Sequence, residues 1–326
     1  GIGFPHSSAH VRMNVGGVRI KLIIKGNTSH WVTHTELKKR FWAIMVKFPS
    51  EVTMETMLLD DIELRETAKR LYDSYSTVLS ESKLISIIQD VLGDFAPALD
   101  SKYAARRTIN DLVMGYYPNE ATIKANFIDR VLFPLSPANI SIFELPIGNS
   151  RVDMCKVNGH SAAYEIKTDL DTFDRLEGQL SDYFDVFETV YVVTSDKRWQ
   201  ELPSYVPEAC GIYSYSQDAR DGSYHFKAQR KAIKSTNLDS EKQLAVMPKR
   251  ALCETFGIDG GGMSKPAIVQ ECLAENSQAK INRLFKAYLK QRYGAYWEHF
   301  CKVKPRILGI DYEWFYRNRL EPGIVY

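Results

Sequence analysis

Residues 189–195, TVYVVTS, constrain the fold more than any other stretch. The run is unbroken and β-branched, the pattern of a strand buried inside a sheet. A helical run over 172–187 leads into it, and before that come two strand-like runs, 151–157 and 162–168. Their linker, VNGHS, holds Asn158-Gly159, the strongest short-range hairpin signal. ISIFELPI at 140–147 reads as an earlier strand and GIYSYS at 211–216 as the last, with a loop or helical stretch around Trp199 between TVYVVTS and GIYSYS. PNEATIKANFIDRVLF at 118–133 supplies an amphipathic helix in front. The order helix, strand, strand, strand, helix, strand, helix, strand predicts a compact α/β unit with a mixed central sheet flanked by helices.

The flanks read differently. Helical spacing over 34–48, 60–80, 82–92 and 101–115 predicts a helical N-terminal region spanning 31–116. Residues 1–30 are expected to be a linker remnant, or a short strand at RIKLIIK. After the α/β core at 117–216 strands are expected to disappear, leaving a basic, aromatic-rich helical region over 217–326 with helices at 240–256, 265–275 and 276–293. Charge is uneven: 19 Lys and Arg against 12 Asp and Glu from residue 216 on, and 23 against 28 before it. The basic third suits a polyanion, although a solvated surface explains the charge equally well. Helical extensions of this kind also suit a protein partner or a homo-oligomer. No apolar run approaches the ~18–20 residues that span a bilayer, and the five cysteines form no CxxC pair. A cytoplasmic chain with reduced thiols and no membrane partner is the expectation.

The residues that carry chemistry lie on the hairpin. Strand alternation places Glu165 and Lys167 on one face and Tyr164 and Ile166 on the other; the same period groups Arg151, Asp153 and Cys155. Whether Asp153 meets Glu165 depends on register. A two-residue Asn158-Gly159 turn would pair Asp153 with Tyr164, whereas a three-residue loop, Asn158-Gly159-His160, closes Val157 on Ser161 and sets Asp153 opposite Glu165. The odd-length loop is the working expectation. Two opposed carboxylates reach one cation, and an all-oxygen set completed by the Ile166 backbone carbonyl suits Mg²⁺ or Mn²⁺. Lys167 is then placed to stabilise charge developing on a phosphate. On the next helix Arg175, Gln179 and Tyr183 recur every four residues beside a stripe of Phe173, Leu176, Leu180, Phe184 and Phe187, a spacing that suits substrate positioning but also an ordinary polar helix edge.

Asp153, Glu165-Ile166-Lys167 and Gln179-x-x-x-Tyr183 together resemble the PD-(D/E)XK nuclease superfamily, in particular its RecB-like branch, and YEIKTDLDTFDRLEGQLSDYFDVFETVYVV is similar to uncharacterised bacterial nuclease-like proteins. The resemblance covers roughly 118–216. It implies a restriction-endonuclease-like core with a metal between Asp153 and Glu165, and an acidic residue on the preceding helix, for which Glu120 fits better than Asp129. It also implies hydrolysis of DNA phosphodiesters with Mg²⁺ or Mn²⁺, in defence against foreign DNA or in mobile-element biology, with RNA not excluded as substrate. A catalytically inactive nucleic-acid- or partner-binding module on the same scaffold is the alternative. Arg151-Val152 precede Asp153 where that branch often has a glycine-containing lead-in, so metal stoichiometry is left open.

Other features read more plainly. Asp169 and Asp171 share the parity of Glu165 and could bind a second metal, but capping of the next helix, by Asp171 or Thr172, is the preferred expectation. His160 reads as a turn residue. Gly260-Gly261-Gly262 lacks phosphate-loop spacing. MPKRALCETFGIDGGGMSKPAIVQECLAEN weakly resembles a SAP-type DNA-binding helical motif, with a plain helical hairpin as the default.

Overall fold

The protein is described by a computed structural model covering residues 8–15, 18–25, 61–93, 96–97, 99, 104–133, 139–218 and 222–326. The helix expected over 34–48 lies outside the described residues. The chain divides into two units, one of residues 1–75, 79–112 and 218–223, the other of 76–78, 113–217 and 224–326.

In the first unit, the short strand expected at RIKLIIK is present as β2 (Val18–Lys25), and it pairs antiparallel with β1 (Ser8–Val15), in the stretch expected to be a linker. Helices α1 (Asp61–Ser74) and α2 (Glu81–Leu92) follow. Ser80 caps α2 by accepting the Lys83 N–H, and Gly93 ends it at φ +54°. Arg106, on α3 (Ala104–Tyr116), is 1% exposed and donates to the Tyr75 hydroxyl at 3.0 Å and the Leu79 carbonyl at 2.7 Å.

The second unit holds a six-stranded sheet in the order β3 (Ile140–Ile147), β4 (Ser150–Asn158), β5 (His160–Lys167), β6 (Thr189–Ser195), β7 (Gly211–Gln217), β8 (Tyr224–Arg230). The outer pairs are antiparallel, while β5–β6 and β6–β7 are parallel. The α/β class with a mixed, helix-flanked sheet is therefore what the chain adopts. Strands do not stop at 216: β8 extends the sheet as an edge strand with only Tyr224 buried, and its register shifts against β7 at Ile212/Tyr213.

The sheet is buried on both faces. One face brings Val152, Cys155, Ala163, Val190 and Val192 under α5 (Leu176–Val186). The other packs Met154, Tyr164, Ile166 and Val193 against α4 (Glu120–Phe127) and the aromatic C-terminal helices. A π-helical turn over Ile128–Leu132 extends α4. C-terminal to the sheet come α6 (Ser240–Val246), α7 (Lys249–Phe256), α8 (Lys265–Glu275), α9 (Gln278–Val303), α10 (Tyr312–Asn318) and α11 (Pro322–Val325). The single helix expected over 240–256 is split because Pro248 has no N–H to continue the helix and starts a new one. Helix α9 runs ten residues past its expected end at Tyr293 because Trp297, Phe300 and Val303 bury themselves on the sheet.

Candidate functional site: an acidic centre around Asp153 and Glu165

The hairpin register is the one the two carboxylates require. Val157 faces Ser161 and Asn158 faces His160 across Gly159, whose φ of +64° suits the turn. The ladder ends at Met154–Tyr164, one step before Asp153 and Glu165 would pair. Strand β4 leaves β5 there, and the Asp153 carboxylate turns to accept the Ile166 N–H at 2.6 Å. An extended residue sends its N–H and C=O to the same strand edge, so the Ile166 carbonyl is directed to the β4 side as well.

Alternation also slips at this point. Ile142 and Leu145 both lie in the α5-side cluster, as do Val152 and Cys155, although an unbroken pleat would put each pair on opposite faces. The residue absorbed on each strand is Glu144 and Asp153, the one facing pair missing from the β3–β4 ladder. Asp153 therefore does not simply continue the period of Arg151 and Cys155. Glu144 takes φ +57°, a left-handed conformation that costs a non-glycine residue about 1–3 kcal/mol unless its surroundings hold it there.

What holds Glu144 is a set of cations. Lys124, on α4, pairs with one Glu144 oxygen; Arg151 Nε lies 2.7 Å and Arg317 Nη2 3.7 Å from the other. Lys124 Nζ also meets Glu120 at 2.9 Å and Glu313 of α10 at 3.1 Å. Asn119 starts α4 by capping the Thr122 N–H, which sets Glu120 and Lys124 one turn apart on the same face. Burial disfavours the Lys124 charge, but the carboxylates of Glu120, Asp153, Glu313 and Glu144 outweigh it and raise its pKa. Carboxylate oxygens of Glu120, Glu144 and Asp153 all lie within 4.8 Å of one another.

Glu165 sits deeper, at 1% exposure, with Lys167 Nζ 2.7 Å from Oε1 and the Tyr183 hydroxyl 2.9 Å from Oε2. Burial raises its pKa, against Lys167 and Tyr183, which lower it. Asp153 is pushed well above the usual carboxylate range by burial first, then by the charges of Glu165 and Glu120. The centre thus contains two carboxylates held where ionisation without a nearby cation is unfavourable.

Several sequence expectations need correction. Tyr183 is fully buried, its hydroxyl also 2.8 Å from the Arg151 carbonyl, so it positions Glu165 and is shielded from any nucleic-acid backbone. Tyr183, not Phe184, belongs to the buried stripe of α5. Arg175 stands exposed at the N-cap position of α5, its carbonyl accepting the Gln179 N–H at 3.1 Å, and α5 starts later than expected. Gln179 is half-buried, with Oε1 unpaired. Neither Asp171 nor Thr172 caps the helix: Asp171 accepts the Thr168 N–H and hydroxyl, each at 2.8 Å, and Asp169 accepts the Ser195 hydroxyl. Asp129 is engaged elsewhere, with Lys304 at 2.7 Å and the Tyr312 hydroxyl, leaving Glu120 as the acid that α4 brings to the centre.

Lys124, Glu144, Glu313, Arg151 and Arg317 were not anticipated as part of one centre. A glutamate inside the largely apolar ISIFELPI and the Glu120–Lys124 spacing were the available signals; Glu313 and Arg317 carried none.

The fold and centre define an α/β protein with buried carboxylates and a buried ammonium group, rimmed by exposed guanidinium groups, at the point where a hairpin splays. A family profile described as bacteriophage P4 protein cII matches residues 115–310, and the chain belongs to that family. Protein cII of Enterobacteria phage P4 is 28% identical over 166 residues, 49% of this chain and 62% of the relative, so the chain spans somewhat under two thirds of that protein. A protein of unknown function from Silicibacter pomeroyi, SPO1766, aligns over 53% of this chain and 90% of its own at 12% identity, with a TM-score of 0.27. Among the described residues no helix is long and apolar enough to cross a membrane.

Proposed function

We propose that the chain is a metal-dependent nuclease that hydrolyses DNA phosphodiester bonds on a PD-(D/E)XK, restriction-endonuclease-like core. The observation that carries this reading is Glu165, fully buried between Lys167 and Tyr183 and one step beyond the last hairpin pair from Asp153.

The residues fit a hard divalent cation. The donors are all oxygens, and Asp153 accepts a backbone N–H but has no direct ion pair among the described residues, although burial and neighbouring negative charge favour a cation there. Mg²⁺ or Mn²⁺ held by Asp153, Glu165 and the Ile166 carbonyl, with Glu120 beside them, would polarise a phosphate and lower the pKa of a coordinated water. Tyr183 fixes the orientation of Glu165. Lys167 Nζ, 11% exposed on the same strand face, neutralises Glu165 and is available to the negative charge that develops on the phosphate. Arg151 and Arg317, at 62% and 49% exposure, offer guanidinium groups to flanking phosphates at the rim. Gln179, whose Oε1 has no hydrogen-bond partner among the described residues, and the exposed Arg175 are the substrate-positioning groups of this proposal. The phage source of the relative supports mobile-element biology, or defence against foreign DNA, as the setting, in the cytoplasm.

The test is incubation of circular, linear and single-stranded DNA, and of RNA, with Mg²⁺, Mn²⁺ or EDTA, for the wild type and Glu165→Ala. Cleavage of DNA by the wild type alone, abolished by EDTA, is expected. Binding of DNA with no cleavage under any condition overturns the enzyme reading in favour of an inactive nucleic-acid-binding module; preferential cleavage of RNA overturns the choice of substrate.

A further inference from the structure

We infer that Lys124 fills the position a second metal ion would take, so that the centre binds one divalent cation and not two. The inference rests on the nuclease reading only for the identity of that first cation.

The Glu120, Glu144 and Asp153 oxygens lie close enough to one another to suggest a second cation site. A cation is already there. Lys124 Nζ has three N–H groups and three carboxylate partners: Glu120 at 2.9 Å, Glu313 at 3.1 Å and Glu144. Its side chain is 4% exposed, and its neighbours Ile123 and Ala125 are buried in the sheet-facing core. The ammonium is therefore a fixed part of the fold rather than a surface group that swings away. The left-handed backbone of Glu144 points the same way: a strained residue is kept at the position where its carboxylate closes on Lys124, Arg151 and Arg317.

Charge balance sets the limit. Five carboxylates (Glu120, Glu144, Asp153, Glu165, Glu313) meet four cations (Lys124, Lys167, Arg151, Arg317). That sum is −1; one divalent ion takes it to +1 and a second to +3, an excess that the buried Lys124 ammonium at the cluster's centre opposes. Among the described residues Asp153 is the one of these five carboxylates with no direct ion pair, so on the nuclease reading the single metal goes to Asp153 on its Glu165 side, while Lys124 keeps Glu120 and Glu144.

The test is Mn²⁺ binding to the full chain, by calorimetry for stoichiometry and by electron paramagnetic resonance for coupling between ions. Wild type and Lys124→Arg are expected to bind one Mn²⁺ with an uncoupled spectrum. Lys124→Met is expected to bind a second, with spin-coupled lines, and to melt higher by several degrees in Mn²⁺ than in EDTA, by a margin larger than the wild type shows. Two ions on the wild type, or a single ion on a folded Lys124→Met protein, overturn the inference while leaving the nuclease reading standing. No ion on the wild type overturns both. Should Lys124→Met fail to fold, the wild-type stoichiometry decides alone.

Discussion

Replacing Tyr183 with Phe separates a positioning role from a substrate contact. The change removes one oxygen from a side chain that is wholly buried, and that oxygen lies 2.9 Å from Glu165 Oε2 and 2.8 Å from the Arg151 carbonyl. The hydroxyl has a single proton, so at any moment it makes one strong donor bond. To an ionised Glu165 such a bond contributes about 1.5–3 kcal/mol, and to a neutral acceptor about 0.5–1.5 kcal/mol. A stability loss of about 1–3 kcal/mol is expected in urea unfolding, with an unchanged m-value. Glu165 also loses the smaller of the two partners that lower its pKa, Lys167 being the other, so its proton is held more tightly and Mn²⁺ must compete harder. Affinity for Mn²⁺ is expected to fall roughly 10- to 100-fold, as when a group that orients a metal ligand is removed. Because Tyr183 reaches no solvent, the salt dependence of DNA binding is expected to stay as it is. The reasoning is refuted if Mn²⁺ affinity is unchanged while the salt slope of DNA binding drops by about one phosphate contact.

Three further outcomes are expected. Asp153 and Glu165 hold their protons more tightly in the folded chain than ordinary carboxylates do, so in EDTA their contribution to stability is complete below about pH 4 and is lost as pH rises through their elevated pKa values, at about 1.4 kcal/mol per pH unit per proton; melts from pH 4 to 8 should show the decline, and Mn²⁺ should flatten it. Glu188 is buried between the Ser161 N–H at 2.8 Å, Lys286 at 2.9 Å and Lys234 at 3.1 Å, so Glu188→Gln should cost about 2–4 kcal/mol by denaturant titration, since it leaves Lys286 of α9 without its carboxylate. Gly159→Ala meets no atom within 4 Å but must adopt φ +64°, so a loss of roughly 1 kcal/mol with unchanged metal binding is expected.

The core was legible because its elements are set by local pattern. TVYVVTS became the central parallel strand β6, and the turn chemistry of Asn158-Gly159-His160 produced the register that aligns Asp153 with Glu165. The parity of Glu165 with Lys167 held because β5 has no bulge. The failures share a physical cause, which is that distant contacts override local signals. The pleat slip at Glu144 and Asp153 follows from where Lys124 and Arg151 sit, and no alternation rule contains it. The Glu313 and Arg317 contributions come from a helix 160 or more residues along the chain from Asp153. Tyr183 looked like a polar edge residue because its hydroxyl partner, Glu165, lies on another element. The late start of α5 reflects a competition that Asp171 loses to the Thr168 turn.

A time course of supercoiled DNA cleavage in Mn²⁺, with wild type and Lys167→Met at equal concentration and an EDTA control, tests metal-dependent phosphodiester hydrolysis at this centre most directly. Lys167 is only 11% exposed and its loss leaves the buried Glu165 without its ammonium partner, so folding of the variant is checked by circular dichroism, and its DNA binding measured, before the rates are compared. The predicted result is nicking by the wild type, a rate at least about 100-fold lower for the variant, and no product in EDTA. Equal cleavage by both proteins, or cleavage that survives EDTA, would contradict it.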